Sequence, residues 1–110
     1  MNFDVASIPV FDKQAKQLAK KYPSFKKDLS NLIETLSSEP QQGIPLGNNF
    51  YKIRMAISSK NKGKSAGARI ITYVKISKTT VFLTSVFDKS DKENITDKEL
   101  QDIFKSIPEG

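Results

Sequence analysis

The sequence predicts an α+β fold. An antiparallel sheet carries an N-terminal helical hairpin and a C-terminal helix, in the order β-α-α-β-β-β-α, with the helices on one face. Three observations predict it. The hydrophobic period switches from helical spacing to alternation near residue 50. The alternating segments that follow are joined by short connections, as in an antiparallel meander. Near the end, Thr96-Asp97-Lys98-Glu99 has the pattern of a capping box that opens a helix.

Each element has its own local reason. Phe3, Val5 and Ile8 suggest a short strand ending at Pro9. From residue 10 the period changes: Phe11, Ala15, Leu18 and Tyr22 fall on one helical face, with Lys13, Lys16 and Lys20 on the other side. Pro23 stops this helix at or before Tyr22. Ser24 is placed to cap a second helix, which repeats Phe25, Leu29, Leu32, Ile33 and Leu36 at helical spacing until Pro40 and Gly43 break it. Residues 41–47 read as a loop.

In residues 50–57, Tyr51, Ile53, Met55 and Ile57 share one strand face and Phe50, Lys52, Arg54 and Ala56 the other. After a loop rich in Lys, Ser and Gly, residues 68–76 alternate again. Ile70, Thr72, Val74 and Ile76 oppose Arg69, Ile71, Tyr73 and Lys75. Ser77-Lys78-Thr79 is a turn, and residues 80–87 form a third strand. The last helix places Leu100, Ile103, Phe104 and Ile107 on one face, where core packing is the expected role.

With 110 residues and no internal repeat or composition break, the chain reads as one domain over residues 1–110. It contains no cysteine and no histidine. That excludes disulfides, a thiol nucleophile, thiolate zinc sites and the commonest general base. No apolar stretch is long enough to span a bilayer, and residues 1–16 lack the pattern of a secretory leader. Cytoplasmic residence with no membrane partner is the expectation.

The net charge of +6 is unevenly spread. Residues 1–51 carry six Lys and five Asp/Glu, residues 52–92 carry ten Lys/Arg and two Asp, and residues 93–110 carry two Lys and five Asp/Glu. A basic excess of this kind in the middle of the chain points to a polyanion partner.

Placing Ile57 opposite Ala68 sets Lys52 against Tyr73, Arg54 against Ile71 and Ala56 against Arg69. Lys52, Arg54 and Arg69 then gather on the exposed face of the sheet. No acidic residue between 50 and 87 is present to neutralise them. Two arginines on rigid strands suit phosphate recognition, and they can hold the charge that develops when phosphate is attacked. Lys52 is a candidate proton carrier or further charge stabiliser. A lysine's ordinary pKa of about 10.4 must fall for base catalysis near neutrality, and neighbouring cations push that way.

Asp88 and Asp91 are too few for a magnesium cage, so neither a metal nor a cofactor is expected. Lys60, Lys62 and Lys64 form a basic hairpin tip able to contact a phosphate backbone. Gly63-Lys64-Ser65 is not a P-loop, because Ser58 stands where the first glycine belongs and a strand follows. Asn94-Ile95-Thr96 matches a glycosylation acceptor but reads better as the approach to a helix cap.

Several segments together resemble one family. They are the F-x-K-x-x-K-x-L-x-K-K-Y-P-S run from Phe11 with Asp28-Leu29 after it, and the P-x-x-G loop from Pro40. Tyr51-Lys52-Ile53-Arg54, the GKSAGAR run 63–69 and the VFDKSDKENIT run 86–96 complete the set. The combination resembles the RelE/ParE toxin superfamily of type II toxin–antitoxin systems, and within it the HigB-like branch. The resemblance implies a microbial-ribonuclease-like fold and a metal-free endoribonuclease that cleaves translated mRNA on the ribosome, with an antitoxin as second partner. Cleavage would proceed by 2′-hydroxyl attack on the adjacent phosphate, leaving a 2′,3′-cyclic phosphate and a 5′-hydroxyl. Carried over by position, the family's strand cations fall on Lys52 and Arg54, its phosphate-binding arginine on Arg69 and a basic residue after the last strand on Lys89. Lys60, Lys62, Lys64, Tyr73 and Lys92 are the expected RNA contacts. The pattern departs at Ile95, where RelE carries a tyrosine that contributes to catalysis.

Two other readings compete. One is a ParE-like inhibitor of DNA gyrase that cleaves nothing, although ParE relatives do not depend on a sheet-face cation triad. The other is a non-catalytic RNA-binding module, which would need stacking aromatics, and the exposed face offers Phe50 and Tyr73 alone.

Overall fold

A computed structural model describes residues 2–108. The elements are β1 (Asp4–Ser7), α1 (Pro9–Lys21), α2 (Phe25–Ser38), β2 (Ile44–Gly47), β3 (Phe50–Met55), β4 (Ala68–Lys75), β5 (Thr80–Asp88) and α3 (Asp97–Ser106). The α+β class and the element order follow the sequence reading, with β2 as an additional strand. The sheet has five strands in the order β1-β5-β4-β3-β2. All neighbours are antiparallel except β1, which runs parallel to β5.

The two N-terminal helices are shaped by what the sequence places at their ends. Pro9 occupies the first turn of α1, where a missing N–H costs nothing. Lys21 is its last residue, as Pro23 demands. Phe11 and Leu18 of α1 and Phe25 and Leu36 of α2 are buried against Ile53, Met55, Ile70, Val74, Val81, Leu83 and Val86. Each such side chain stabilises the fold by about 1.5–3 kcal/mol. Ser24 sits at the N-cap position of α2 but makes no capping bond. Its backbone is helical rather than extended, so its hydroxyl instead donates to the Asp28 carboxylate and accepts from the Ser59 amide.

The segment 41–47, expected as a loop, contains edge strand β2. Its Pro45 is tolerable only at an edge or irregularity, and the register slips there. Asn48 and Asn49, both at positive φ, close a two-residue hairpin into β3. Asparagine is among the few residues that accept that geometry twice in succession.

The β3–β4 register is displaced by two residues from the expected one, with Met55 rather than Ile57 opposite Ala68. Residues 56–57 leave the ladder because the turn Ser58–Lys60 is drawn to α2, where Asp28 accepts from the amide and hydroxyl of Ser58. A displacement of two preserves the side-chain faces. The β4–β5 ladder carries a bulge at Thr84, whose hydroxyl donates to the Ile71 carbonyl.

The last helix corrects the expectation that all helices share one face. α3 packs on the sheet side opposite α1 and α2, over Phe50, Ile71, Tyr73, Phe82 and Phe87. Its start is the expected capping box, Thr96 accepting from the Glu99 amide while the Glu99 carboxylate accepts from the Thr96 amide. Leu100, Ile103 and Ile107 meet the sheet, whereas Phe104 remains 53% exposed at the edge of a ring cluster with Phe50 and Tyr73.

Candidate functional site

The β3–β4 part of this sheet face, beside α3, carries the cations. Alternation along β3 puts Lys52 and Arg54 there, and β4 adds Arg69. The actual register sets Arg54 directly opposite Arg69, with Phe87 of β5 on the other side of Arg69. Arg54 is exposed. Lys52 is half-buried, and its ammonium donates to the Asn94 side chain (2.9 Å) on the approach to α3.

Arg69 corrects the picture of three exposed cations, because it is only 3% exposed. Its guanidinium is held entirely by backbone carbonyls: Lys64 (2.9 Å), Ser65 (3.2 Å) and its neighbour Ala68 (3.2 Å). Lys64 and Ser65 belong to a tight 3-10 turn, Lys64–Ala66, that folds back over β4. Gly67 makes that fold-back possible. A β-carbon there would lie 2.0 Å from the Met55 carbonyl oxygen. Burial, and then the like charge of Arg54, hold the Arg69 pKa below the usual arginine value. Its three hydrogen bonds all go to neutral acceptors, and among the described residues no carboxylate forms a salt bridge with it.

The other expected residues separate into distinct places. Lys64 shares a cleft of about 630 Å³ with Lys52 and Arg54, beside α2. Lys62 and Lys89 line a different cleft of about 510 Å³, with Tyr22 and Ser65. Lys60 lines that cleft too, but it is not the free basic tip expected for its loop. Its ammonium donates to Asp88 (2.7 Å) and to the Ala66 carbonyl (2.9 Å). Tyr73 stands away from both clefts, its ring 5.1 Å from Phe50 and 5.7 Å from Phe104. Lys92 pairs with Glu99 and lies over the Phe87 ring, which ties the β5–α3 connection to the capping box. Ile95 is half-buried in the apolar cluster beneath α3.

Asp88 is the residue that sequence reasoning missed. With Asp91 it is too little for a magnesium cage, and its sequence context suggests no other role, yet it is 1% exposed and accepts three hydrogen bonds. Lys60 and the Ser90 amide give to one carboxylate oxygen and the Tyr22 hydroxyl gives to the other. Burial alone would raise its pKa. The bonds from Lys60, Tyr22 and Ser90 outweigh burial and hold it well below the usual carboxylate range. Lys60 responds in kind: burial lowers its pKa, but Asp88 and Tyr22 leave it above the usual lysine value. The sequence carried one signal, since Asp88 is the first acidic residue after a basic stretch beginning at Lys52.

Likeness to known proteins bears on this geometry. A family model described as "RelE toxin of RelE / RelB toxin-antitoxin system" matches residues 9–108. Among solved structures, the chain resembles a double arginine-to-alanine mutant of E. coli toxin RelE in the free state. That match has a TM-score of 0.60 at 16% identity and covers 96% of this chain and 94% of the other. It resembles the intact E. coli RelBE toxin–antitoxin complex at TM-score 0.51 and 22% identity, covering 78% and 95%. It also resembles the isolated E. coli RelE toxin at TM-score 0.51 and 18% identity, covering 96% and 99%. At these identities the structural likeness establishes the fold. No curated protein sequence matches significantly.

Proposed function

We propose that this chain, which belongs to the RelE toxin family, is a ribosome-dependent mRNA endonuclease that acts without a metal. The observation that carries this reading is the Arg54–Arg69 pair. Two guanidinium-bearing residues face each other across adjacent strands, and among the described residues neither is in a salt bridge. A site of uncompensated positive charge on a rigid sheet is preorganised for an anion whose charge grows during reaction.

In the proposed reaction the ribose 2′-oxygen attacks the adjacent phosphorus and loses its proton. The bond to the 5′-oxygen breaks, and that oxygen takes up a proton. The products are a 2′,3′-cyclic phosphate and a 5′-hydroxyl. Arg69 sets its charge against the non-bridging phosphate oxygens. Arg54, exposed on the facing strand, closes on the same phosphate. Lys52, steered by Asn94, carries a proton or adds charge. Lys62, Lys64 and Lys89 extend the positive surface for the RNA backbone. With Ile95 packed beneath α3, no tyrosine takes part from that position of the β5–α3 connection.

The proposed partner besides translated mRNA is an antitoxin, in the form of an acidic segment that folds over the basic surface. One of the structural neighbours, the intact E. coli RelBE complex, is itself a toxin–antitoxin assembly. Cytoplasmic residence belongs to this reading.

The test is induction of the wild type and Arg69→Ala in a bacterial host, with mapping of new mRNA 5′ ends. New ends within translated frames, absent with Arg69→Ala, are expected. Growth arrest with DNA breakage and no new RNA ends would replace this reading with gyrase inhibition. No arrest from the wild type would leave a non-catalytic RNA-binding module.

A further inference from the structure

We propose that Tyr22, Lys60 and Asp88 are positioning residues that hold Arg69 in its working orientation, acting through the Lys64–Ala66 turn. The inference rests on Arg69 being the phosphate-binding group of the proposed nuclease.

Arg69 has no acidic partner to aim it among the described residues. Its direction is set by carbonyls, two of which belong to the Lys64–Ala66 turn. That turn is outside every ladder, and it is entered through Gly63 at positive φ. Left to itself, such a segment would be loose. It would also be pushed, because Arg54 stands opposite and like charges repel. Something must hold the turn against both effects.

The contacts on the turn lead to one buried group. The Ala66 carbonyl accepts from Lys60 at 2.9 Å, and the same ammonium is anchored to Asp88 at 2.7 Å. The other carboxylate oxygen of Asp88 accepts from Tyr22 at the α1–α2 corner. The next residue, Lys89, donates its amide to the Gly67 carbonyl at 3.0 Å. The loop carrying Arg69's acceptors is thereby clamped between β5 and the helical hairpin. The ionic character of the clamp matters. Any movement of Lys60 strands a buried carboxylate without its counter-charge, so the pair permits one arrangement and disfavours its neighbours. Lys60 also lies 5.0 Å from the Tyr22 ring centre, which confines it further.

The test uses the full chain in a reconstituted translation reaction, measuring kcat and KM for cleavage of a translated message. The informative variant is the double substitution Lys60→Met/Asp88→Asn, which releases Ala66 without leaving a lone buried charge. Its kcat is expected to fall about a hundredfold, as for a misplaced catalytic group, with KM changed no more than about twofold. Adding Arg69→Ala to it should cost nothing beyond Arg69→Ala alone, because both act through the same guanidinium. Lys60→Arg, which keeps the pair, should retain most of the activity.

If Arg69→Ala lowers kcat by orders of magnitude to a measurable residual rate while Lys60→Met/Asp88→Asn cleaves like wild type, the clamp is overturned and the active site stands. If Arg69→Ala itself cleaves like wild type, the site assignment fails and the clamp fails with it. Should the double variant be unfolded at the assay temperature, Tyr22→Phe decides. A several-fold fall in kcat that vanishes in the Arg69→Ala background supports the clamp, and an unchanged kcat overturns it.

Discussion

Arg54 and Arg69 are directly opposed across β3 and β4, one exposed and one buried, and among the described residues no carboxylate pairs with either. Like charges directly opposed on a sheet destabilise it, by a few tenths of a kcal/mol where one partner is solvated. The fold carries this cost at the place where an anion would offset it. Arg54→Gln is therefore expected to raise stability by that amount while lowering cleavage by about a hundredfold. Denaturant midpoints and single-turnover cleavage of the same preparations check both halves. A variant that lost stability would contradict the repulsion argument.

Thr72 offers a gain with no bearing on activity. Its hydroxyl is fully buried among apolar neighbours and has no hydrogen-bond partner among the described residues. Replacing an unsatisfied buried hydroxyl by a methyl removes a desolvation penalty of about 1 kcal/mol or more. Thr72→Val should raise the thermal midpoint by a few degrees for a domain of this size. Calorimetry would read it directly, and a lower midpoint would show that the hydroxyl has a partner.

Gly67 and Gly63 bound the same turn but fail for different reasons. A β-carbon at Gly67 meets the Met55 carbonyl oxygen at 2.0 Å, and the backbone on both sides would have to part. At Gly63 the space is open and only the positive φ of 71° penalises a side chain. Gly67→Ala should cost about 3 kcal/mol or more and displace Arg69, with loss of cleavage. Gly63→Ala should cost about 1 kcal/mol and keep most activity. Urea titration ranks the two.

Acid should weaken the clamp. The folded pKa of Asp88 is depressed, so its contribution is fully present above the ordinary aspartate value of 3.8 and is lost as pH falls below it toward the folded value. Asp28 shifts the same way: burial opposes its charge, but the bonds from Ser58 and Ser24 prevail. Lys60 is raised, so its contribution persists until pH climbs above the ordinary lysine value of 10.5. Thermal midpoints should therefore drop on acidification below about pH 4. Asp88→Asn should be less stable at pH 7 and less sensitive to acid. Equal acid sensitivity of the two proteins would remove Asp88 from this account.

Alternation is a property of consecutive residues, and it was enough to place Lys52, Arg54 and Arg69 on one face of a sheet. The register between strands is not local. It was displaced by two because Asp28, in α2, pulls Ser58 out of the ladder. Faces survive an even displacement, so the cation group was legible while the direct Arg54–Arg69 opposition was not. The punctuation at Pro9 and Pro23, the two apolar helix stripes and the Thr96–Glu99 capping box were likewise written in short-range pattern.

By itself, then, the sequence determined the α+β class, the helix boundaries and the basic face, because each depends on period, turn chemistry or charge within a few residues. Only the tertiary structure decided the rest. It put α3 on the far side of the sheet, buried Arg69 among carbonyls, and turned Lys60 from a loop cation into the partner of Asp88. Those outcomes join Tyr22, Lys60 and Asp88 across as many as 66 positions of chain. A buried charge takes whichever counter-charge the packed fold brings within reach, and no spacing along the chain encodes that choice.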